Sequence, residues 1–221
     1  MIRAVLFDLD GTLADTAPDL AWALNRQRVI RGMEPLPLGE LRPHASSGAR
    51  GLLGAGFGIA PGHEDFESMR EEFLRFYETD IVAETTLFEG VTDLLDTLEA
   101  RRLAWGIVTN KIERFTLPLV RLIGLSPRTP CVISGDTTPH AKPHPAPLLE
   151  AAVRLGIEPR ACLYVGDDER DIVAARAAGM RSVAVRYGYL GVASPPEAWG
   201  ADAIIDTPLG LLNFLPPAPL V

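Results

Sequence analysis

Residues 4–13 read Ala-Val-Leu-Phe-Asp-Leu-Asp-Gly-Thr-Leu, and this stretch is the clearest indication of how the chain folds. Its first four residues are apolar, and such a short, continuous apolar run is typical of a buried strand. The run stops at Asp8, and the residues that follow predict a loop. We therefore expect a first strand that is buried on both faces and carries acidic side chains directly beyond its end.

The second half of the chain alternates between strand and helix patterns. Apolar runs predict strands, and apolar residues at helical spacing predict the helices between them. The predicted strands are 4–7, 104–109, 131–134, 162–165, 182–185 and, at an edge, 203–205; the predicted helices are 91–98, 114–123, 147–155 and 169–178. Continuously apolar strands that alternate with helices predict an α/β fold whose parallel sheet is covered on both faces.

The region after the first strand has a different pattern. Thr16 and Pro18 predict the start of a helix with a capping hydroxyl. Residues 33–62 are rich in Gly and Pro, residues 66–77 predict another amphipathic helix, and no convincing strand pattern occurs in this region. We therefore predict two domains, which are an α/β core domain of residues 1–15 and 83–221 and a helical cap domain of residues 16–82.

The composition excludes several classes of function. The chain has 29 acidic and 21 basic residues, and its net charge of −8 is the opposite of what a nucleic-acid surface requires. No apolar stretch approaches the roughly 20 residues of a transmembrane helix, and no signal-peptide pattern precedes the first strand. We expect a cytoplasmic protein without nucleic-acid or membrane partners. We also expect Cys131 and Cys162 to be reduced core thiols, and the proline-rich residues 215–219 to form a frayed end.

Polar clusters stand at the ends of the predicted core strands. Parallel strands present their carboxyl ends at one edge of a sheet, where ligands bind in open α/β folds. The polar residues found there are Asp8 and Asp10, Thr109 and Asn110, Lys142 after a loop, and Asp167, Asp168 and Asp171. We therefore expect these side chains to converge on one site.

Asp8, Asp10 and Asp167 together predict a magnesium site. Carboxylates that are crowded together repel each other unless a cation neutralises them. Hard oxygen ligands without His or Cys suit Mg²⁺ rather than zinc. The ion would also supply the positive charge that an acidic chain lacks for binding a phosphate.

The same residues suit phosphoryl transfer. A carboxylate such as Asp8 can attack phosphorus and form an aspartyl phosphate, and Asp10 can protonate the leaving oxygen and later activate water. Thr109 and Asn110 offer hydrogen-bond donors to phosphoryl oxygens, and Lys142 offers a point charge. Together they predict an electrostatic clamp for a small phosphorylated metabolite.

Four segments resemble, in order, the signature motifs of the haloacid dehalogenase (HAD) superfamily. They are Asp8-Leu-Asp-Gly-Thr-Leu-Ala-Asp, Val108-Thr-Asn, Ala141-Lys-Pro-His-Pro and Gly166-Asp-Asp-Glu-Arg-Asp. The resemblance implies a Rossmann-like parallel-sheet core with a helical, C1-type cap inserted after the first motif. It also implies that Asp8 is the nucleophile and that Asp10 is the general acid and base.

The resemblance further implies which residues bind the metal. The ligands would be the side chain of Asp8, the main-chain carbonyl of Asp10 and the side chain of Asp167. Asp171 would act through a water molecule or support the ligands from behind. Asp168 replaces the serine that often follows this Gly-Asp pair in the superfamily, so the resemblance implies no role for it.

Within the superfamily, the chain is similar to two kinds of phosphatase. Thr109-Asn-Lys, Arg186-Tyr-Gly-Tyr and Ser47-Gly-Ala-Arg-Gly-Leu-Leu resemble phosphoglycolate phosphatases. Trp105-Gly-Ile-Val-Thr-Asn-Lys and Trp199-Gly-Ala-Asp also resemble N-acetylmuramic acid 6-phosphate phosphatases. We therefore expect a phosphomonoesterase for 2-phosphoglycolate, with N-acetylmuramic acid 6-phosphate as the alternative substrate.

Three further expectations concern the cap, the rival functions and the assembly. Arg50 stands in a glycine-rich segment, interpreted as a loop, and is our candidate for binding a substrate anion from the cap. A phosphomutase and a non-catalytic binding protein are less favoured alternatives. The binding protein stays open because a fold by itself does not prove an activity, and it is less favoured because every position that the chemistry needs is filled. We expect a monomer or a weak homodimer.

Overall fold

The computed structural model describes residues 1–217. Its strands are β1 (Ala4–Phe7), β2 (Ala14–Asp15), β3 (Thr86–Leu87), β4 (Ala104–Val108), β5 (Val132–Ile133), β6 (Cys162–Gly166), β7 (Arg181–Val185) and β8 (Ala203–Ile205). Its α-helices are α1 (Ala17–Ile30), α2 (Leu38–Leu41), α3 (Gly48–Phe57), α4 (Phe66–Thr79), α5 (Val91–Ala100), α6 (Glu113–Leu122), α7 (Ala146–Leu155) and α8 (Glu169–Ala177).

Six of these strands form one sheet in the order β5-β4-β1-β6-β7-β8, and every neighbouring pair is parallel. Val5 and Phe7 contribute to a hydrophobic cluster on one face of β1, whereas Ala4 and Leu6 contribute to a second cluster on the other face. This double burial explains why the strand sequences are continuously apolar. The predicted α/β fold with a parallel sheet is confirmed, and β8 lies at the predicted edge.

The register of the sheet brings the strand ends together. Phe7, the last residue of β1, pairs with Ile107 of β4 on one side and with Val165 of β6 on the other. The residues directly beyond these three strands therefore lie side by side at one edge of the sheet.

Helices α1 to α4 fill the segment between β2 and β3, and within the described chain no strand interrupts them. Strands β2 and β3 pair antiparallel and hold the two ends of this helical segment together. Inside it, α3 approaches α1 closely at Gly56, where an added Cβ would lie 2.8 Å from Leu24. The predicted helical block is confirmed, while its division from the rest of the chain as a separate domain stays a prediction.

Two local expectations were wrong. Arg50 lies on α3 rather than on a loop, because burial of Leu52 and Leu53 stabilises a helix despite the glycines around them. Thr16 precedes α1 as predicted, but its hydroxyl does not cap the helix. The backbone N–H groups of Thr16 and Ala17 instead donate to the hydroxyl of Tyr189, at 2.7 and 2.9 Å.

The cysteines agree with their predicted state, whereas the end of the described chain does not. Cys131 and Cys162 are free and buried, as predicted, and no described helix is long and apolar enough to cross a membrane. Leu215 is buried in the core and the carbonyl of Pro216 accepts a hydrogen bond from Arg101, so the predicted frayed end is wrong there. Residues 218 and 219 of that prediction lie outside the described part of the chain.

Candidate active site

The ends of β1, β4 and β6 place Asp8, Thr109 and Asp167 at one sheet edge. The backbone N–H of Asp8 donates to Val165 at 2.9 Å, and the backbone N–H of Thr109 donates to Ile133 at 2.9 Å. These main-chain bonds extend the sheet by one residue and hold the three side chains in a fixed relation. The predicted convergence is therefore observed.

Three carboxylates form the centre of this site. One oxygen from each of Asp8, Asp167 and Asp171 lies within 4.8 Å of the others, and all three residues are buried or nearly so. Burial, opposed by Lys142 and reinforced by Asp171, raises the pKa of Asp8 to about 7. Burial and repulsion from Asp8 and Asp171 raise the pKa of Asp167 well above its usual range. The cluster is therefore short of positive charge.

Lys142 inserts its ammonium among these carboxylates. Nζ lies 2.8 Å from Asp8 Oδ1, 2.7 Å from Asp171 Oδ1, 2.7 Å from the hydroxyl of Tyr164 and 2.9 Å from the carbonyl of Val108. Burial by itself would lower the pKa of Lys142, but the charges of Asp171 and Asp8 outweigh it and raise the pKa. The lysine is therefore a buried cation that is shared by the carboxylates of Asp8 and Asp171.

The protons around Lys142 match the acceptors in number. An ammonium donates three hydrogen bonds and a tyrosine hydroxyl donates one. Lys142 can donate to Asp8, Asp171 and Tyr164, while the Tyr164 hydroxyl donates to Val108 at 2.8 Å. Sequence reasoning missed Tyr164, because an aromatic residue inside an apolar strand is usually core.

Asp10 lies beside this cluster rather than in it. Its Oδ1 accepts a hydrogen bond from the Thr16 hydroxyl at 2.5 Å and forms an ion pair with Lys111 Nζ at 3.0 Å. Lys111 Nζ also lies 3.3 Å from the hydroxyl of Tyr77, which belongs to α4 in the helical segment. The side chain of Asp10 is thus fixed from both the sheet edge and the helical segment.

Asp167 is held tightly by its neighbours. Its Oδ2 accepts the backbone N–H of Tyr189 at 2.8 Å and lies 3.3 Å from the Ser46 hydroxyl, while its Oδ1 lies 3.3 Å from the Thr12 hydroxyl. Gly11 has a φ of +87°, and a Cβ added there would collide with the Asp167 carboxylate. Glycine at this position therefore permits both the turn after β1 and the close approach of Asp167.

Asp168 and Asp171 cap α8. Asp168 accepts the backbone N–H of Arg170 at 2.9 Å, and Asp171 accepts the backbone N–H of Asp168 at 3.1 Å. Asp168 also forms an ion pair with Arg170, whose Nη2 donates to the carbonyl of Ser46 at 2.8 Å. Asp168 thus joins the helix start to the helical segment, a role that its sequence position did not indicate.

The two residues after β4 are placed differently from each other. The Thr109 hydroxyl accepts the backbone N–H of Lys111 at 3.1 Å, which leaves its own proton available at the site. The side-chain amide of Asn110 donates to the carbonyl of Lys142 and accepts its backbone N–H, each at 2.9 Å. Asn110 therefore fixes the loop that carries Lys142, and its direct contact with a phosphate stays a prediction.

A cavity of about 350 Å³ lies over these residues, between the sheet edge and the helical segment. From the sheet edge it is lined by Asp8, Asp10, Thr109 and Lys142, among others. The helical segment contributes, among others, Arg50, Arg70, Phe73, Leu74 and Tyr77. Sequence reasoning anticipated Arg50 but missed Arg70 and Tyr77, although these two residues and Phe73 recur at the spacing of one helix face.

Comparisons with known proteins agree with this geometry. The family model described as haloacid dehalogenase-like hydrolase matches residues 5–185. The chain belongs to the haloacid dehalogenase-like hydrolase family. A predicted phosphoglycolate phosphatase from Haemophilus somnus has the same fold, with a TM-score of 0.84 at 26% identity over 96% of this chain and 97% of that one.

Two relatives narrow the class further. The chain is 42% identical to the N-acetylmuramic acid 6-phosphate phosphatase of Pseudomonas putida, over 97% of this chain and 96% of that protein. It is 45% identical to a phosphoglycolate phosphatase of Xanthomonas campestris, over 93% of each. The chain is therefore a phosphatase of this family.

Proposed function

We propose that the protein hydrolyses a phosphomonoester through an aspartyl phosphate formed on Asp8, with Mg²⁺ as its cofactor. The observation that carries this proposal is the buried group of Asp8, Asp167 and Asp171 with the Lys142 ammonium among them. Such a group is costly to bury, since like charges repel and burial penalises each of them. It is readily explained as a site for a cation and a phosphate.

The carboxylate cluster fits a hard divalent cation. All three donors are carboxylate oxygens, which Mg²⁺ prefers, and the raised pKa values of Asp8 and Asp167 indicate a local deficit of positive charge. We propose Asp8, Asp167 and the carbonyl of Asp10 as ligands, supported by Asp171. When bound, Mg²⁺ supplies positive charge that neutralises the phosphoryl oxygens and the carboxylates around them.

The chain's own residues account for both half-reactions. An oxygen of Asp8 forms a bond to phosphorus while the ester P–O bond breaks, and Asp10 donates a proton to the departing alcohol. Asp10 then takes a proton from a water that attacks the same phosphorus, and the bond between Asp8 and phosphorus breaks to release phosphate. Lys142 and Thr109 stabilise the charge on the transferring phosphoryl group.

The helical segment, residues 16–82, would act as a cap domain that excludes water from this reaction. Its contribution to binding would come through Arg50, which is exposed on α3 and lines the cavity. A guanidinium also binds phosphate well, and both candidate substrates carry a phosphate.

The size of the cavity favours the larger candidate substrate. Pockets for drug-sized ligands begin at roughly 300 Å³, and this cavity has about 350 Å³. A two-carbon acid such as 2-phosphoglycolate fills little of it, whereas a phosphorylated amino sugar acid of the N-acetylmuramic acid 6-phosphate type would occupy it. We therefore propose the phosphorylated sugar acid as the substrate. 2-Phosphoglycolate remains the second candidate, because a relative named for it is 45% identical to this chain.

The experiment that tests this proposal is a phosphate-release assay with and without Mg²⁺. We expect Mg²⁺-dependent release from N-acetylmuramic acid 6-phosphate with a higher kcat/KM than from 2-phosphoglycolate. The reverse order would favour the second candidate. Transfer to an acceptor sugar without free phosphate would indicate a phosphomutase, and no turnover of any ester would contradict the proposed function.

A further inference from the structure

Helix α4 presents one continuous face to the cavity. Arg70, Phe73, Leu74 and Tyr77 all line it, and their spacing of three, four and seven residues puts them on one side of the helix. From this arrangement we infer that Arg70 is a specificity-determining residue, which binds an anionic group of the substrate far from the phosphate. This inference rests on the proposed function and names the end of the substrate that the cavity selects.

The two ends of this face differ in their relation to the chemistry. Tyr77 contacts Lys111 Nζ at 3.3 Å, and Lys111 contacts Asp10 at 3.0 Å, so Tyr77 marks the end where Asp10 meets the leaving oxygen. Arg70 lies seven residues earlier, and a helix rises 1.5 Å per residue, so the two residues are about 10 Å apart along α4. The α4 face therefore sets a separation of about 10 Å between the reacting ester, near Tyr77, and the guanidinium of Arg70.

The wall between these ends is apolar. Phe73 and Leu74 from α4 line the cavity together with Ile112 and Phe115 at the start of α6. An apolar wall of this kind packs against the C–H groups of a substrate but gives no hydrogen bonds. The cavity is therefore suited to a substrate that has an anionic group at each end and a carbon framework between them.

The two candidate substrates differ in the distance between their phosphorus atom and their carboxylate. In 2-phosphoglycolate about three covalent bonds join phosphorus to the carboxylate carbon, which span less than about 5 Å. In N-acetylmuramic acid 6-phosphate about eight bonds join them, through the sugar ring and the lactyl ether, with a reach of roughly 8–10 Å. The longer reach matches the roughly 10 Å between the two ends of the α4 face, whereas the reach of 2-phosphoglycolate does not.

Arg70 has donors available for such a carboxylate. It forms ion pairs with Glu67 at 3.5 Å and Glu71 at 3.4 Å, and both use Nη1 alone. Within residues 1–217, Nε and Nη2 of Arg70 have no hydrogen-bond partner. Exposed pairs of this length contribute little, so a bidentate carboxylate can compete with them.

A comparison of two substrates and two variants tests the inference. The substrates are N-acetylmuramic acid 6-phosphate and N-acetylglucosamine 6-phosphate, which lacks only the lactyl ether and its carboxylate. The variants are Arg70→Met and, as the matched control, Arg75→Met, because Arg75 is exposed on the same helix and does not line the cavity. Initial rates of phosphate release with Mg²⁺ give kcat and KM for each pair.

We expect Arg70→Met to raise KM for the lactyl substrate about tenfold or more, as loss of a charged hydrogen bond would, with little change in kcat. For N-acetylglucosamine 6-phosphate, the KM of the same variant should lie within about twofold of that of the unmodified enzyme. Arg75→Met should change the KM of neither substrate. Arg70→Lys should have a KM for the lactyl substrate between those of Arg70→Met and the unmodified enzyme. An equal effect of Arg70→Met on both substrates, or none on either, would overturn the inference, whereas failure of the unmodified enzyme to hydrolyse any ester would overturn the proposed function instead.

Discussion

The ammonium of Lys142 lies 2.8 Å from Oδ1 of Asp8, and the two residues are only 4% and 9% exposed. Removing the ammonium from a buried pair of this kind is strongly destabilising, because the buried carboxylate is left without its cation. Here the loss is greater than for a simple pair, since Asp171 shares the same ammonium at 2.7 Å. Lys142 is therefore a structural cation, and in the proposed function it is also the group that meets the phosphoryl oxygens.

Replacing Lys142 with methionine should impair folding stability and catalysis together. We expect the free energy of unfolding without metal to fall by about 3–5 kcal/mol and kcat to fall by about 10²- to 10³-fold. Urea denaturation and phosphate release measure the two effects. Arg121→Met, which removes an exposed positive charge, should change neither, and a Lys142→Met enzyme with unaltered kcat would refute the proposed role.

Asp8→Asn should separate chemistry from folding. The amide cannot attack phosphorus, so we expect turnover to be abolished, while removal of one charge from a crowded carboxylate cluster should keep or raise stability. Circular dichroism, thermal unfolding and phosphate release on the same preparation test this. Asp80→Asn, at an exposed position, is the control and should remain active. Near-normal rates in Asp8→Asn would rule out the aspartyl-phosphate mechanism.

The stabilisation of the protein by Mg²⁺ should depend on pH. In the metal-free fold the pKa of Asp8 is raised from 3.8 to about 7, so the folded protein keeps a proton that the unfolded chain releases. Stability of the metal-free protein is therefore lost as pH rises from about 4 to about 7. The raised pKa of Asp167 acts in the same direction.

Mg²⁺ must displace the proton that Asp8 holds in the metal-free fold. Its stabilising effect on the fold therefore grows as the pH rises from about 4 to about 7. We expect saturating Mg²⁺ to raise Tm little at pH 5 and clearly more at pH 7.5, as measured by thermal unfolding at constant ionic strength. Asp8→Asn should lose the part of this pH dependence that comes from Asp8. A Mg²⁺-induced shift in Tm that is the same at both pH values would contradict the assignment of the cluster as the metal site.

The sheet and the acidic end of the site could be predicted because their signals are local. An apolar run that stops at a carboxylate describes both a buried strand and the residue at its end, as at Phe7 and Asp8. The same reading located Thr109 and Asp167 at the ends of their strands. These residues needed no knowledge of distant contacts, only the rule that parallel strands end at one edge.

The other parts of the site depend on contacts across the chain. Tyr164 has the pattern of a core aromatic residue, and its hydroxyl gains a role only when Lys142 arrives from a loop. Arg50 was assigned to a loop because glycines surround it, whereas the burial of Leu52 stabilises a helix there. Propensity is a weak prior that packing overrides.

The hydroxyl of Tyr189 offers a last test, which concerns the junction between the sheet edge and the helical segment. It accepts the backbone N–H groups of Thr16 and Ala17 and donates to Asp15 at 3.1 Å, so both lone pairs and its proton are used. Tyr189→Phe would leave two N–H groups at the start of α1 without this acceptor. We expect the free energy of unfolding to fall by about 1–3 kcal/mol.

Activity should fall as well, because the Tyr189 hydroxyl lies 3.3 Å from the Thr16 hydroxyl that holds Asp10. The matched control is Tyr187→Phe, which removes a single bond to the carbonyl of Thr12 at 3.1 Å. A carbonyl with a second lone pair tolerates that loss better than two amides tolerate theirs, so the control should cost less than about 1.5 kcal/mol. Chemical denaturation and steady-state kinetics of both variants decide the matter. Equal losses in the two variants would mean that the Tyr189 hydroxyl holds the start of α1 no more firmly than an ordinary peripheral hydrogen bond.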